Sequence, residues 1–137
     1  MGRIMAIDYG LKRTGLAVTD PLQIISTPLE TVASATIMDY LAKYLVKEKV
    51  DAFVVGMPKT LLNEDSSIAP KVRLFVDQLR KKFPAVPVHL ADERFTSSIA
   101  RQSMIAGGMK KKQRQDKSNV DKISAAIILQ DFMESKK

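Results

Sequence analysis

A continuously apolar segment that ends in a carboxylate, RIMAID at residues 3–8, constrains the fold of this chain more than any other feature. A strand without polar alternation is covered on both faces, which is typical of a central strand between two layers. Open α/β sheets place their chemistry at the carboxyl ends of such strands, where Asp8 stands. Alternatively, Asp8 only binds the backbone amides of the turn at Tyr9 and Gly10. Both interpretations of Asp8 remain open, within an α/β fold.

The remaining segments predict a mixed sheet. Three strand-like segments come first, and helical spacing then alternates with two short strands. Pro28 marks the third strand as an edge strand or a kinked one, and Ser34 or Thr36 can cap the helix that follows. An antiparallel meander followed by β/α units implies helices on the faces of the sheet. We expect strands at 3–8, 16–20, 24–32, 52–56 and 86–91, with late helices at about 96–106 and 119–133.

The composition predicts one domain, residues 1–137, and excludes several kinds of site. Hydrophobic residues make up 45% of the chain and charged residues 27%, as in ordinary globular proteins. The absence of cysteine excludes disulfides, thiolate metal sites and cysteine nucleophiles, and a single histidine, His89, excludes an imidazole-rich zinc site. We find neither a signal peptide nor an apolar stretch long enough to span a membrane, and therefore expect a cytoplasmic protein without a membrane partner.

The charge balance favours a polyanionic partner. Twenty-two Lys and Arg residues against 15 Asp and Glu residues give a net charge of +7, and neutralised phosphates release counterions. General solubility explains the surplus equally well. The densest basic segment, KKKQRQDK at 110–117, includes Lys110, Lys111 and Lys112. It either grips a nucleic-acid backbone without reading bases or is a solvated surface loop.

Carboxylates stand at the ends of three predicted core elements. Besides Asp8, Asp121 heads an apolar helical stripe (Ala125, Ile128 and Phe132), and an acidic pair in ADERFTS directly follows the strand at 86–91. Taken singly, each has a structural explanation: a favourable first-turn acid at 121, or an ion pair with Arg94. Together, converging acids need a cation, and oxygen ligands select Mg²⁺ or Mn²⁺. Such an ion beside a basic surface suits phosphodiester hydrolysis.

Four ordered motifs, AIDYGLKRTGLAVTD, VVGMP, ADERFTS and VDKISAAIILQDF, resemble those of the YqgF/RuvX family. The resemblance covers nearly the whole chain. It implies an RNase H-like fold with a five-stranded mixed sheet, order 3-2-1-4-5, whose second strand is antiparallel and whose helices lie on both faces. It also implies a nuclease that processes the 5′ end of pre-16S rRNA, or alternatively a Holliday junction resolvase acting on branched DNA.

The resemblance also assigns residues. It implies that Asp8, Glu93 and Asp121 are the catalytic acids and metal ligands. The basic residues near these motifs, Lys12, Arg13 and Arg94, would hold substrate phosphates, although Lys12 and Arg13 could instead be solvated turn residues. The loop at 59–70 departs from the family pattern because it contains no glycine.

Glu93 and the function itself leave alternatives. In the implied sheet order Glu93 follows a strand that is not next to the first, so it must lean across roughly two strand spacings of about 4.8 Å each to share a metal with Asp8. A non-catalytic RNA-binding ribosome-assembly factor on the same scaffold is a second possibility, because fold does not fix function. Nucleotide hydrolysis is disfavoured because actin-like ATPases need a second domain. The oligomeric state is either a monomer or a homodimer.

Overall fold

The structure is a computed structural model and describes residues 2–57, 68–92 and 117–135. A single 3₁₀ turn, Ser34–Thr36, precedes the first helix. The strands are β1 (Arg3–Asp8), β2 (Arg13–Thr19), β3 (Ser26–Ala33), β4 (Val50–Met57) and β5 (Val88–Asp92). The helices are α1 (Ile37–Lys47), α2 (Ala69–Lys82) and α3 (Lys117–Ser135). The helix expected at 96–106 lies outside the described residues.

The five strands form one mixed sheet in the order β3-β2-β1-β4-β5. β1 pairs antiparallel with β2 and parallel with β4, while β3 and β5 flank them as edge strands. The predicted strand order, the antiparallel second strand and the central place of β1 are confirmed. Pro28 lies in the edge strand β3, where a missing N–H is tolerated, and the β2–β3 register shifts between Leu16 and Ala17.

Each face of the sheet has its own apolar core, which explains why β1 lacks polar alternation. Met5 and Ile7 of β1 pack on one side with α1 and α2, whereas Ile4 and Ala6 pack on the other side with α3. We call these the α1–α2 face and the α3 face. Buried helix residues close both cores: Ile37 and Leu41 of α1, Val72, Phe75, Val76 and Leu79 of α2, and Ala125, Ile128 and Leu129 of α3.

Two local predictions were wrong. β2 begins at Arg13 rather than at residue 16, because Thr14 and Gly15 belong to the ladder and only residues 9–12 form the connection. Neither Ser34 nor Thr36 caps α1 with its side chain. The Thr36 hydroxyl instead donates to the carbonyl oxygen of Ala33 at 3.0 Å. Among the described residues, no helix is long and apolar enough to cross a membrane.

Candidate active site

Asp8 ends β1 at the edge of the sheet where β4 and β5 also end, because the three strands are parallel. It is half-buried and pairs in register with Gly15 of β2. Side chains alternate along a strand, so Asp8 continues the series of Ile4 and Ala6 and belongs to the α3 face. The predicted catalytic acid therefore lies at the edge where the parallel strands end, on the face that α3 covers.

The helix α3 runs away from this edge as the chain proceeds. The hydroxyl of Ser26 donates to the carbonyl oxygen of Ala126 at 2.8 Å, and Ser26 pairs with Thr19 at the opposite edge of the sheet. Farther along α3, Met133 and Glu134 lie beside the loop that precedes β3. The amino-terminal half of α3 consequently points toward the edge of Asp8.

Asp121 lies in that amino-terminal half. Its backbone is helical, five residues before Ala126, which corresponds to about 7.5 Å along the axis toward the edge of Asp8. The predicted stripe is confirmed in its described part, since Ala125 and Ile128 are buried and Phe132 packs against the same core. Position 121 is one turn before Ala125, so the backbone of α3 carries it over the α3 face and toward the edge at which Asp8 lies, while a shared site of the two acids stays a prediction.

Glu93 and Arg94 lie outside the described residues, as do Lys110, Lys111 and Lys112. The preceding strand, β5, ends at Asp92, which pairs with Met57 of β4. Because β4 separates β5 from β1, the end of β5 is two strand spacings, about 10 Å, from the end of β1. A metal shared by Glu93 and Asp8 would have to bridge that distance, and this role of Glu93 stays a prediction.

The turn after Asp8 is held from both sides. The Tyr9 ring stacks on Phe75 of α2 at 4.5 Å between centroids with 15° between planes. A Cβ atom on Gly10 would overlap the carbonyl oxygen of Arg13, so the turn closes only with glycine there. The chain leaving Asp8 is thus fixed in direction before it reaches the basic residues of the turn.

Ser34 also fastens this turn, a role that the sequence analysis missed. Its hydroxyl donates to the Gly10 carbonyl oxygen at 2.6 Å and lies 2.8 Å from Thr14 Oγ1, while its backbone N–H donates to the Lys12 carbonyl oxygen at 3.0 Å. Both hydroxyls are buried. Ser34 and Thr14 are positioning residues, and their polar character at the ends of apolar segments was the only signal in the sequence.

Lys12 and Arg13 are both exposed on this turn. Arg13 opens β2 and has the same strand parity as Gly15, the partner of Asp8, so it belongs to the α3 face. Arg13 therefore lies on the same side of the sheet as Asp8, and Lys12 lies in the turn just before Arg13. This placement suits contact with a polyanion, while phosphate binding by these residues stays a prediction.

Ser124 of α3 is buried close to the candidate site. It is 1% exposed, and its Oγ makes no hydrogen bond to any residue that the structure describes. A buried hydroxyl normally needs a partner, because leaving it without one costs free energy. Ser124 lies one turn after position 121, in the half of α3 that points toward the edge of Asp8.

The donor set fits a hard divalent cation. The chain has no cysteine and one histidine, so the acids at this edge offer oxygen atoms alone, the ligands that Mg²⁺ and Mn²⁺ prefer. Within residues 2–57, 68–92 and 117–135, no three metal-binding side chains form a cluster. Glu93 and the side chain of Asp121 lie outside that description, which leaves the ligand set a prediction.

Curated relatives match this chain from end to end. A protein of Phocaeicola vulgatus is 55% identical over 137 residues, which are 100% of this chain and 99% of that protein. A protein of Parabacteroides distasonis is 53% identical over 137 residues, 100% of this chain and 98% of that protein. Both bear the name "Putative pre-16S rRNA nuclease".

Solved structures agree with the fold. Thermus thermophilus RuvC in complex with a Holliday junction substrate matches with a TM-score of 0.60 and 20% identity, over 99% of this chain and 96% of that chain. A second RuvC structure from the same organism gives a TM-score of 0.57 and 15% identity, over 98% and 95% of the two chains. The predicted RNase H-like fold is confirmed by this likeness. A family model described as RuvX, Holliday junction resolvase, matches residues 2–135, and the chain therefore belongs to the RuvX family.

Proposed function

We propose that this protein is a Mg²⁺- or Mn²⁺-dependent nuclease that hydrolyses phosphodiesters of structured RNA in the cytoplasm and processes the 5′ end of pre-16S rRNA. The observation that supports it best is the placement of Asp8 and position 121 on one face and toward one edge of the sheet. The names of the curated relatives support the RNA substrate. The net charge of +7 suits a polyanion.

In this proposal Asp8, Asp121 and Glu93 hold the cation. When bound, a divalent cation supplies a nucleophilic water at neutral pH and neutralises charge on the in-line transition state. Asp8 contributes a carboxylate. Its backbone is fixed by pairing with Gly15 and by the neighbouring Tyr9, whose ring stacks on Phe75. No covalent enzyme intermediate is required.

The basic residues hold substrate phosphates in the same proposal. Lys12 and Arg13 extend from a turn whose backbone is fixed by Ser34, so their main chain needs no ordering when substrate binds. Arg94 and the segment with Lys110, Lys111 and Lys112 add contacts that position the backbone without reading bases.

Replacing Asp8 tests the proposal directly. Asp8→Asn keeps the size of the side chain but removes its charge, and we expect cleavage of a pre-16S rRNA leader in Mg²⁺ or Mn²⁺ to fall by on the order of 10³-fold, with RNA binding nearly unchanged. The matched control is Asp77→Asn, which changes an exposed acid of α2 on the opposite face. Full activity of the Asp8→Asn variant would reject the assignment.

A second candidate function is Holliday junction resolution, favoured by the description of the family model. Incubation of the protein with pre-rRNA leader and with four-way DNA junctions, in parallel and with Mn²⁺ or a chelator, separates the two. Cutting of the junction alone would make the protein a resolvase. Retention of RNA without any cutting would make it a non-catalytic assembly factor.

A further inference from the structure

A shallow groove on α1 combines two aromatic rings with two cations. Tyr40, Lys43, Tyr44 and Lys47 line it, and its volume is about 200 Å³. Their spacing of three, one and three residues puts all four on one side of the helix. The groove lies on the α1–α2 face, so the sheet separates it from the candidate active site on the α3 face.

The rings of Tyr40 and Tyr44 are nearly parallel and are held in place by the core. Their centroids are 6.3 Å apart and their planes differ by 16°. Both tyrosines are half-buried and pack against the core of the α1–α2 face, which holds one side of each ring. Burial is the main cause that raises the pKa of both phenols, so the rings remain neutral at physiological pH. Neutral rings that are held in place by the core need little ordering before a base stacks on an exposed ring face.

The charges around the rings favour a polyanion. Lys43 and Lys47 are exposed, and neither forms an ion pair with any carboxylate in the described part of the chain. The nearby Glu48 is paired with Arg3 at 3.3 Å. Glu30 lies close enough to Tyr40 to raise the pKa of that phenol, and it is the acid that opposes a phosphate at this end of the groove.

The groove is connected to the basic turn beside Asp8. The 3₁₀ turn that leads into α1 begins at Ser34, whose backbone N–H binds the carbonyl oxygen of Lys12. From Ser34 to Lys47 the helical path is about 20 Å. Exposed lysines thus stand beside the start of this path, at Lys12, and along α1, at Lys43 and Lys47.

We infer that the α1 groove binds a single-stranded segment of RNA, with bases stacked on Tyr40 and Tyr44 and phosphates on Lys43 and Lys47. Stacking on aromatic rings combined with a basic track is the usual means of holding single strands without sequence preference. The identification of the strand as RNA rests on the proposed function. The groove would hold a single-stranded flank of the substrate while the α3 face holds the bond to be cut.

Intrinsic fluorescence can report on this groove alone. The chain has no tryptophan and three tyrosines, so a Tyr9→Phe background leaves only Tyr40 and Tyr44 as emitters. In the presence of a chelator, which prevents cleavage, oligouridylate should quench this emission on binding. An abasic strand of the same length and charge should bind more weakly and leave the emission unquenched. Equal quenching by both strands, or none by either, would overturn the inference.

Ring substitutions separate stacking from packing. Tyr44→Leu keeps an apolar side chain against the core but removes the ring, and we expect oligouridylate to bind about tenfold more weakly. Tyr44→Phe keeps the ring and should bind like the unaltered protein. Circular dichroism of both variants is the control that checks whether they are folded. Undiminished binding by the leucine variant would contradict a stacking role.

The lysines are tested through salt dependence. Replacing Lys43 and Lys47 by glutamine should reduce the slope of log K against log salt for oligouridylate by about 1.4, two single-strand contacts. The matched control replaces Lys71 and Lys81, exposed lysines of α2, and should leave the slope unchanged. An equal effect from both pairs would reject the groove as the binding site.

The two proposals fail separately. Loss of cleavage in Asp8→Asn together with unchanged binding in the groove variants would reject the groove and keep the nuclease. Quenching and binding in the groove without any cleavage by the unaltered protein would reject the nuclease and keep the groove as an RNA-binding surface.

Discussion

The core of the α3 face has a larger share of alanines than the core of the α1–α2 face. On the α1–α2 face, Met5, Ile7, Leu16 and Phe53 are completely buried beneath two helices. On the α3 face, Ala6 and Ala17 lie beneath a helix that presents Ala125. Small residues let a helix backbone approach the sheet closely, whereas large ones fill a thick core. The larger cluster of buried side chains lies on the first face, and the alanines of the second let α3 lie close to the sheet.

The difference predicts opposite sensitivities. The thick core should respond to loss of volume, because a cavity there has many large neighbours that lose contacts. The α3 face should respond to added volume, because its alanines are fully buried and a larger side chain must push α3 outward. Changes on the α1–α2 face should therefore act mainly on stability, and changes on the α3 face should act on activity as well.

Phe53→Ala should give the largest loss of stability. Phe53 is fully buried in β4 with its ring 5.9 Å from that of Phe83, and its truncation should lower the free energy of unfolding by about 3–5 kcal/mol. Urea unfolding measures the loss. RNA cleavage per folded molecule, measured well below the unfolding midpoint, should stay close to that of the unaltered protein. A loss of cleavage larger than the loss of folded protein would mean that the two faces are not separable.

Ala17→Leu should have a smaller effect on stability and a larger effect on function. The added volume on the α3 face should cost about 1–3 kcal/mol and push α3 away from β1. Cleavage should then fall in the molecules that remain folded. The control is Leu16→Met on the opposite face, which keeps the side-chain volume nearly constant. It should cost less than about 1.5 kcal/mol and preserve cleavage.

Replacing the two buried serines should change the free energy of unfolding by different amounts, although each variant loses one hydroxyl. Ser34→Ala removes a group that bonds Gly10 and Thr14, and should lower the free energy of unfolding by about 1–2 kcal/mol. Ser124→Ala removes a hydroxyl without a partner among the described residues, and should be neutral or slightly stabilising. Thermal and urea unfolding of the two variants side by side provide the measurement. A clear loss on removing the Ser124 hydroxyl would reveal a partner for it.

The smallest effect should come from Asp20, whose carboxylate closes the loop beneath the end of α3. Its oxygens accept the N–H groups of Ile25 at 2.8 Å, Ile24 at 2.7 Å and Leu22 at 3.2 Å. The bond from Ile25 contributes most to lowering the pKa below its ordinary value of 3.8. Asp20 therefore stabilises the fold above that value, and its contribution is lost as the pH falls through the lowered pKa.

Asp20→Asn should flatten this part of the pH profile. The free energy of unfolding, measured by urea titration from about pH 6 to about pH 2, should then differ from that of the unaltered protein mainly at the upper end. The matched control, Asp39→Asn, changes an exposed acid of α1 outside the loop. A difference that grew toward low pH would contradict the assigned direction.

Much of the sheet was predictable because its signals are local or belong to a family. The apolar run at 3–8 matched β1 at both ends, and Pro28 marked the edge strand correctly. The order of the strands came from the resemblance to the family. Gly15 misled the prediction of β2, since glycine is a turn signal, whereas here it pairs with Asp8 inside the ladder.

The sequence has a signal for the candidate acids but not for the residues that support the turn after Asp8. Asp8 and Asp121 stand out because an acid at the end of an apolar element is unusual, and their catalytic role stays a prediction. The local sequence allows Ser34 as a helix cap, but its hydroxyl bonds Gly10, which is 24 residues away. The groove of α1 has no comparable signal, because tyrosines and lysines at helical spacing also occur on ordinary helix surfaces. Contacts between distant segments leave no such local pattern.

The edge strand β3 has a consequence for self-association. An exposed strand normally offers a regular row of unpaired amides to any passing chain, and this is a common start of aggregation. In β3 the backbone nitrogen of Pro28 carries no hydrogen and cannot donate. The register shift opposite Leu16 and Ala17 breaks the regular spacing of the remaining N–H groups. This margin is therefore a poor template for extending the sheet between molecules.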